Sequence, residues 1–184
     1  MQLRKKWCII EMVIKMKINA KFYKVSFSQF KTDMSDFNLN EEELRSIYDK
    51  IELPKRATIA SAGYDFKTPI AFELKPGETI KIPSGIRASM PEDIVLMLFP
   101  RSGLGFKYRL QLNNTVGIID SDYFNALNEG HIMIKVTNDS NEGKVVSLKE
   151  NEAFCQGIFL EYFTTIDDEV SEVRTGGFGS TSKK

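Results

Sequence analysis

From Pro54 onward the apolar residues come in runs too short for helices, each bounded by glycine, proline or polar residues: FELKPGETIKI, IVLMLF, HIMIKV, KVVSL and AFCQGIFLEYF. Such runs between turn-forming residues are the pattern of an all-β domain, because a strand crosses a core in a few residues whereas a helix needs several turns. The expectation is a β-sandwich or jelly roll. Lys75-Pro76-Gly77, between Phe72 and Leu74 on one side and Ile80 and Ile82 on the other, reads as a hairpin turn. The stretch Ile94 to Phe99 is continuously apolar, which predicts a strand buried on both faces.

Upstream the texture differs. Ile18, Ala20 and Phe22 alternate with Lys17, Asn19 and Lys21, the period of a half-buried strand within Lys17 to Val25. Asn40 followed three residues later by Glu43 resembles a capping box, and Leu44, Ile47, Tyr48 and Ile51 follow at helical spacing, so a helical insert is predicted over about 41–51, closing one end of the domain. The first residues are less informative. Arg4, Lys5 and Lys6 before WCIIEMVI imitate a signal peptide, but Glu11 interrupts the apolar run and no clean small-residue cleavage site follows. Residues 1–16 therefore read as an extension, poorly structured or non-native, 17–173 as one β domain, and 174–184 as a glycine-rich arm that is mobile when free.

A chain of 184 residues accommodates one domain with a real core. Its 25 Lys and Arg balance 25 Asp and Glu, so no global field draws it to nucleic acid or an anionic membrane, and any anion must be bound locally. No stretch is long and apolar enough to span a bilayer. Cys8, Cys155 and the lone His131 show no zinc-ligand spacing, and reduced thiols in a cytoplasm are the simplest account.

The chemistry gathers around GIIDSDY at Gly117 to Tyr123. Asp120 follows Val116, Ile118 and Ile119, so its backbone is expected on a buried strand while its carboxylate projects at a turn, where it could serve as a general base. The plainer alternative is an aspartate that caps a β-turn. Two distant stretches, PRSGLGFK at Pro100 to Lys107 and RTGGFGSTS at Arg174 to Ser182, carry the cations, hydroxyls and free N–H groups that phosphates need. A base and a phosphate cradle together suggest nucleotide hydrolysis.

Five stretches in one order, AGYDF at Ala62, PRSGLGFK at Pro100, NNTVGIIDSDY at Asn113, AFCQGIF at Ala153 and RTGGFGST at Arg174, resemble the trimeric dUTP pyrophosphatase family. The resemblance covers roughly Lys17 to Thr181. It implies an all-β jelly-roll subunit in a homotrimer whose sites are shared between subunits, binding dUTP with Mg2+ and releasing dUMP and pyrophosphate. Asp120 matches the residue that orients and deprotonates the attacking water. Arg101, Ser102 and Gly103 match the stretch that holds the triphosphate, and Asp65 the acid that meets magnesium through water. Tyr123 matches the aromatic under the deoxyribose, where a 2′-hydroxyl would collide with the ring, and Asn114 with the backbone around Gly117 the hairpin that reads uracil. Gln156 matches a glutamine near the phosphates. In the arm, Phe178 matches a ring that stacks on the base, while Arg174, Gly179, Ser180 and Thr181 match the segment that closes on the phosphates.

Two departures mark this chain. FNALNEG stands between Tyr123 and His131 where many members turn at once, which predicts a longer hairpin tip, and Arg174 precedes Phe178 by one residue fewer than in some relatives. His131, a lone histidine at a strand start, is read as structural. Two other readings remain open on sequence: a dCTP deaminase, which shares the fold, and a regulatory module of this fold that acts by gripping another protein.

Overall fold

The computed structural model describes residues 17–171 together with Arg174 and Gly176. Its strands are β1 (Lys21–Lys24), β2 (Lys55–Arg56), β3 (Tyr64–Lys67), β4 (Phe72–Leu74), β5 (Thr79–Pro83), β6 (Ile86–Ser89), β7 (Ile94–Pro100), β8 (Leu110–Leu112), β9 (Gly117–Ile119), β10 (Met133–Asn138), β11 (Val146–Leu148) and β12 (Ala153–Glu161). Three α-helices join them: α1 (Phe27–Asp33), α2 (Glu41–Lys50) and α3 (Ser102–Tyr108). The strands form a five-stranded sheet in the order β2-β3-β12-β7-β9, a three-stranded sheet β5-β10-β8, and the pairs β4-β11 and β1-β6. This is the expected all-β jelly roll, with a helical N-terminal part. Among the described residues no helix is long and apolar enough to cross a membrane.

The spine is β12 against β7, paired antiparallel from Cys155 opposite Pro100 to Glu161 opposite Ile94. The continuous apolar run of β7 does not bury both faces. Ile94, Leu96 and Leu98 point into the core while Val95, Met97 and Phe99 are half-buried, because only one face of this sheet is covered within the chain. Cys155 is fully buried, and burial pushes its thiol up to about 12, so it stays protonated and unreactive at neutral pH.

Lys75-Pro76-Gly77 does turn the chain, with Gly77 at φ +84° and Glu78 N–H bonded to the Lys75 carbonyl. The flanking strands nevertheless do not pair as a hairpin: β4 bonds to β11 and β5 to β10. The turn is a corner between sheets. Asn138 holds it, accepting at its carbonyl from Gly77 N–H at 2.7 Å and donating its own N–H to Glu78 O at 3.0 Å.

The first strand is shorter than the alternation suggests, since β6 offers β1 only four partners, Ser89 to Ile86, and Ile18 stays exposed. Phe22 ties β1 to the core by packing on Tyr64, Phe66 and Phe159 at centroid distances of 5.4, 5.6 and 5.4 Å. The predicted helix is α2, and its capping box forms: Glu43 N–H donates to Asn40 Oδ1 at 2.9 Å and Asn40 N–H to Glu43 Oε2 at 2.8 Å. The preceding helix α1, unanticipated from sequence, packs against it through Phe27 and Phe30 on Tyr48. Its cap, Ser26, donates both its N–H and its hydroxyl to the Glu129 carboxylate, at 2.7 and 2.6 Å. The 124–130 segment, expected as a longer hairpin tip, is thus a platform on which α1 is seated. Phe124 strengthens it, stacked under the Arg87 guanidinium 3.6 Å from its ring centre.

Candidate functional site

Two groups of polar side chains lie at opposite ends of β7. At one end β9 pairs with β7, Ile119 opposite Leu96, and the chain leaves the sheet at Asp120 into a 3-10 turn over Ser121–Asn125. Buried Gly117 and Ile119 fix the strand, with Gly117 pressed on the Leu98 side chain, while Asp120 is half exposed. Although Asp120 sits at the cap position of that turn, its side chain makes no capping bond. The turn-cap alternative is therefore not the role of this carboxylate.

What Asp120 does hold is Arg174. Its guanidinium donates from Nη2 to Asp120 Oδ2 and from Nε to Asp122 Oδ1, both at 2.8 Å, and lies 5.8 Å from the Tyr123 ring centre. One fork spans two carboxylates that would otherwise repel each other. Tyr123, expected as an open wall under a sugar, is 4% exposed. Its hydroxyl donates to the His131 carbonyl at 2.8 Å and accepts from Asn128 Nδ2 at 2.8 Å, and burial pushes its phenol above the ordinary range. Arg174 covers the ring on the side of Asp120. An open groove of about 1300 Å³ runs outward from here past Glu92, Asp93, Asp120 and Asp168 to Tyr162 and Phe163. Its wall is acidic, so a polyphosphate entering it needs cations from elsewhere.

At the far end of β7, Arg101 precedes α3. Its Nε lies 3.4 Å from Asp65 Oδ1 on β3, and Gln156 on β12, opposite Asp65, donates from Nε2 to the Pro100 carbonyl at 3.3 Å. Ser102 and Gly103 open α3, where the first N–H groups of a helix have no intrahelical partners, and with Arg101 they line a cavity of about 520 Å³. Arg101, Ser102, Gly103, Asp65 and Gln156 are therefore brought together. Asp120, Asp122, Tyr123 and Arg174 form a second group. Val95 lies level with Asp120, and Arg101 is six residues farther along the strand, roughly 20 Å at about 3.3 Å per residue.

Asn114 sits exposed in the turn joining β8 to β9, its carbonyl accepting from Val116 N–H at 2.7 Å, near Thr115 at φ +66°. Phe178, Gly179, Ser180 and Thr181 lie outside the described residues. Among the described residues no three His, Cys, Asp or Glu side chains are grouped to hold a metal directly. Asp65, 22% exposed beside Arg101, offers a carboxylate that could accept hydrogen bonds from the waters of a magnesium ion bound to phosphate oxygens. His131 is fully buried, as a structural histidine should be, but its partner Asp33 on α1 was not foreseen. No local motif links two residues 98 apart.

The dUTPase family model matches residues 49–182. The deoxyuridine 5′-triphosphate nucleotidohydrolase of Lactococcus lactis is 41% identical over 134 residues, covering 71% of this chain and 88% of that protein. The enzyme of the same description from Hahella chejuensis is 39% identical over 143 residues, covering 73% and 90%. The crystal structure of dUTPase from Streptococcus mutans superposes with a TM-score of 0.57 at 35% identity, covering 78% of this chain and 97% of that one. A mutant dUTPase of phage phi11, described with a structural Mg(II) ion, shares the fold at a TM-score of 0.58 and 19% identity, covering 83% and 97%.

Proposed function

Because the chain belongs to the dUTPase family and is a hydrolase of dUTP, we propose that Asp120 is its general base and that each working site joins the two ends of β7 from different subunits of a homotrimer. The observation that carries this is the separation along β7. The backbone at Asp120 and at Arg101 of one chain is roughly 20 Å apart, longer than a triphosphate, which favours a second subunit supplying one of the two groups to a single substrate.

In such a site the Asp120 carboxylate takes a proton from water as the water oxygen bonds the α-phosphorus in line, and the bond from that phosphorus to the bridging oxygen breaks, releasing pyrophosphate and leaving dUMP. Arg101 grips phosphate oxygens with its planar fork, and Ser102 and Gly103 donate a hydroxyl and a backbone N–H. Arg174 exchanges Asp120 and Asp122 for phosphate oxygens, which frees the base and uncovers the Tyr123 ring for the deoxyribose. Asn114 and the backbone at Gly117 face the uracil edge, Gln156 supports the phosphate end, and Phe178, Gly179, Ser180 and Thr181 close over the ligand. Magnesium, met by Asp65 through water, supplies charge neutralisation on the phosphates when bound.

The test is pyrophosphate release from dUTP, dTTP, dCTP and UTP at equal concentration. The expected outcome is turnover of dUTP with the other three at least roughly a hundredfold lower, the discrimination a site gains by steric and hydrogen-bond rejection. Ammonia release from dCTP in place of pyrophosphate from dUTP would instead identify a deaminase.

A further inference from the structure

The matched family region begins at residue 49, so α1 lies upstream of it, yet α1 ends in Asp33, which bonds the histidine whose carbonyl holds the tyrosine assigned to the sugar. Asp33 Oδ2 lies 2.5 Å from His131 Nδ1. The buried His131 ring accepts the Gly85 N–H at Nε2, 2.7 Å away, so Nδ1 is the nitrogen that carries the proton and donates it to Asp33. Gln29 Nε2 donates to the same carboxylate oxygen at 2.8 Å. Burial opposes ionisation of Asp33, but the hydrogen bonds from His131 and Gln29, with the nearby charges, bring it below the usual carboxylate range. The imidazole is held at both nitrogens, one by α1 and one by the turn before β6.

The backbone of that histidine in turn holds Tyr123. Its carbonyl is the acceptor for the tyrosine hydroxyl, and Asn128 donates to the hydroxyl oxygen. Gly130, at φ +67°, passes so close that a Cβ would lie 2.6 Å from the Tyr123 carbonyl oxygen and 2.8 Å from Phe124 Cα. Residues 128–131 therefore wrap the tyrosine without slack. Helix α1 grips this segment twice, through Ser26 on Glu129 and through Asp33 on His131.

We infer that Asp33 and His131 are positioning residues that set the Tyr123 ring against the sugar, so that a helix outside the family-matched region tunes discrimination between deoxyribose and ribose. The inference rests on Tyr123 being the wall against a 2′-hydroxyl. A small displacement of a close-fitting ring opens space for one extra oxygen, whereas Asp120 meets Tyr123 through its backbone carbonyl, which accepts the Tyr123 N–H at 3.2 Å, and its carboxylate bonds Arg174 rather than the Asp33–His131 pair. Loss of Asp33 thus changes the choice of sugar more than the rate on dUTP.

The experiment compares kcat/KM for UTP and dUTP, with melting temperature, in the full chain carrying Asp33→Ala, Asp33→Asn, Tyr123→Phe or Tyr123→Ala. Asp33→Ala is expected to raise the UTP to dUTP ratio roughly fivefold, the scale of one lost hydrogen bond. Asp33→Asn, whose amide oxygen still accepts from His131, keeps the ratio near that of the unaltered chain. Tyr123→Phe removes only the hydroxyl held by His131 and moves the ratio in the same direction, which keeps the test decisive where Asp33→Ala does not fold. If Tyr123→Ala raises the ratio while Asp33→Ala and Tyr123→Phe only lower the melting temperature, Asp33 and His131 are merely structural and the inference is overturned with the sugar wall intact. If Tyr123→Ala leaves the ratio unchanged, the wall reading itself fails and the inference goes with it.

Discussion

Asp120→Asn is expected to keep binding dUTP while losing turnover by on the order of a hundredfold or more, because the amide preserves shape and hydrogen bonding but cannot take the proton of the attacking water. Arg174 can still donate to the amide oxygen, so the surroundings of Tyr123 stay in place. Removing a negative charge from an acidic groove does not weaken binding of a polyanion. Equilibrium binding of a non-hydrolysable dUTP analogue and single-turnover pyrophosphate release separate the two effects. Near-normal turnover would move the base elsewhere, and the first candidate would be Asp122, which shares the same guanidinium.

Arg101→Ala is expected to lower kcat/KM for dUTP by roughly a hundredfold, the scale of a bidentate charge-assisted contact with phosphate. Its loss is felt twice. The phosphates lose a cation, and Asp65, left without its partner 3.4 Å away, adds a bare carboxylate beside them. Arg101→Lys restores little, since a point charge cannot reproduce the planar fork. Initial-rate measurement of kcat and KM checks this, and an unchanged kcat/KM would reduce Arg101 to the ion-pair partner of Asp65.

Much of the fold was legible because strand pattern and capping chemistry are local. The Asn40 and Glu43 box needs only neighbouring residues, and α2 forms where it predicts. Strand pairing is not local. Lys75-Pro76-Gly77 announces a turn, but whether β4 and β5 pair or part depends on β10 and β11, far along the chain. Helix α1 was missed although its cap is local, Ser26 Oγ accepting from Gln29 N–H at 3.1 Å; what no local pattern shows is its seat on Glu129, 103 residues away. α3 carries two glycines, which disfavour helix, and ends at Arg109 in the left-handed region. At the site, Asp120 and Arg101 could be named because apolar strands precede both. Their placement at opposite ends of β7 could not, since it follows from the register of β9 on β7. Nor could the contact of Arg174 with Asp120 and Asp122, which closes across 54 residues onto the first and 52 onto the second.

The most direct test of the shared site is to co-refold Asp120→Asn chains with Arg101→Ala chains and assay verified mixed trimers. On the proposed assignment, each parent trimer lacks one required group at every site. If Asp120 and Arg101 of a working site come from different subunits, about one site in three of each mixed trimer combines an intact Asp120 with an intact Arg101, and a corresponding fraction of dUTP turnover returns. Mixed trimers with only the summed residual activity of the parents would mean that one chain supplies both groups, contradicting the separation along β7 on which the account stands.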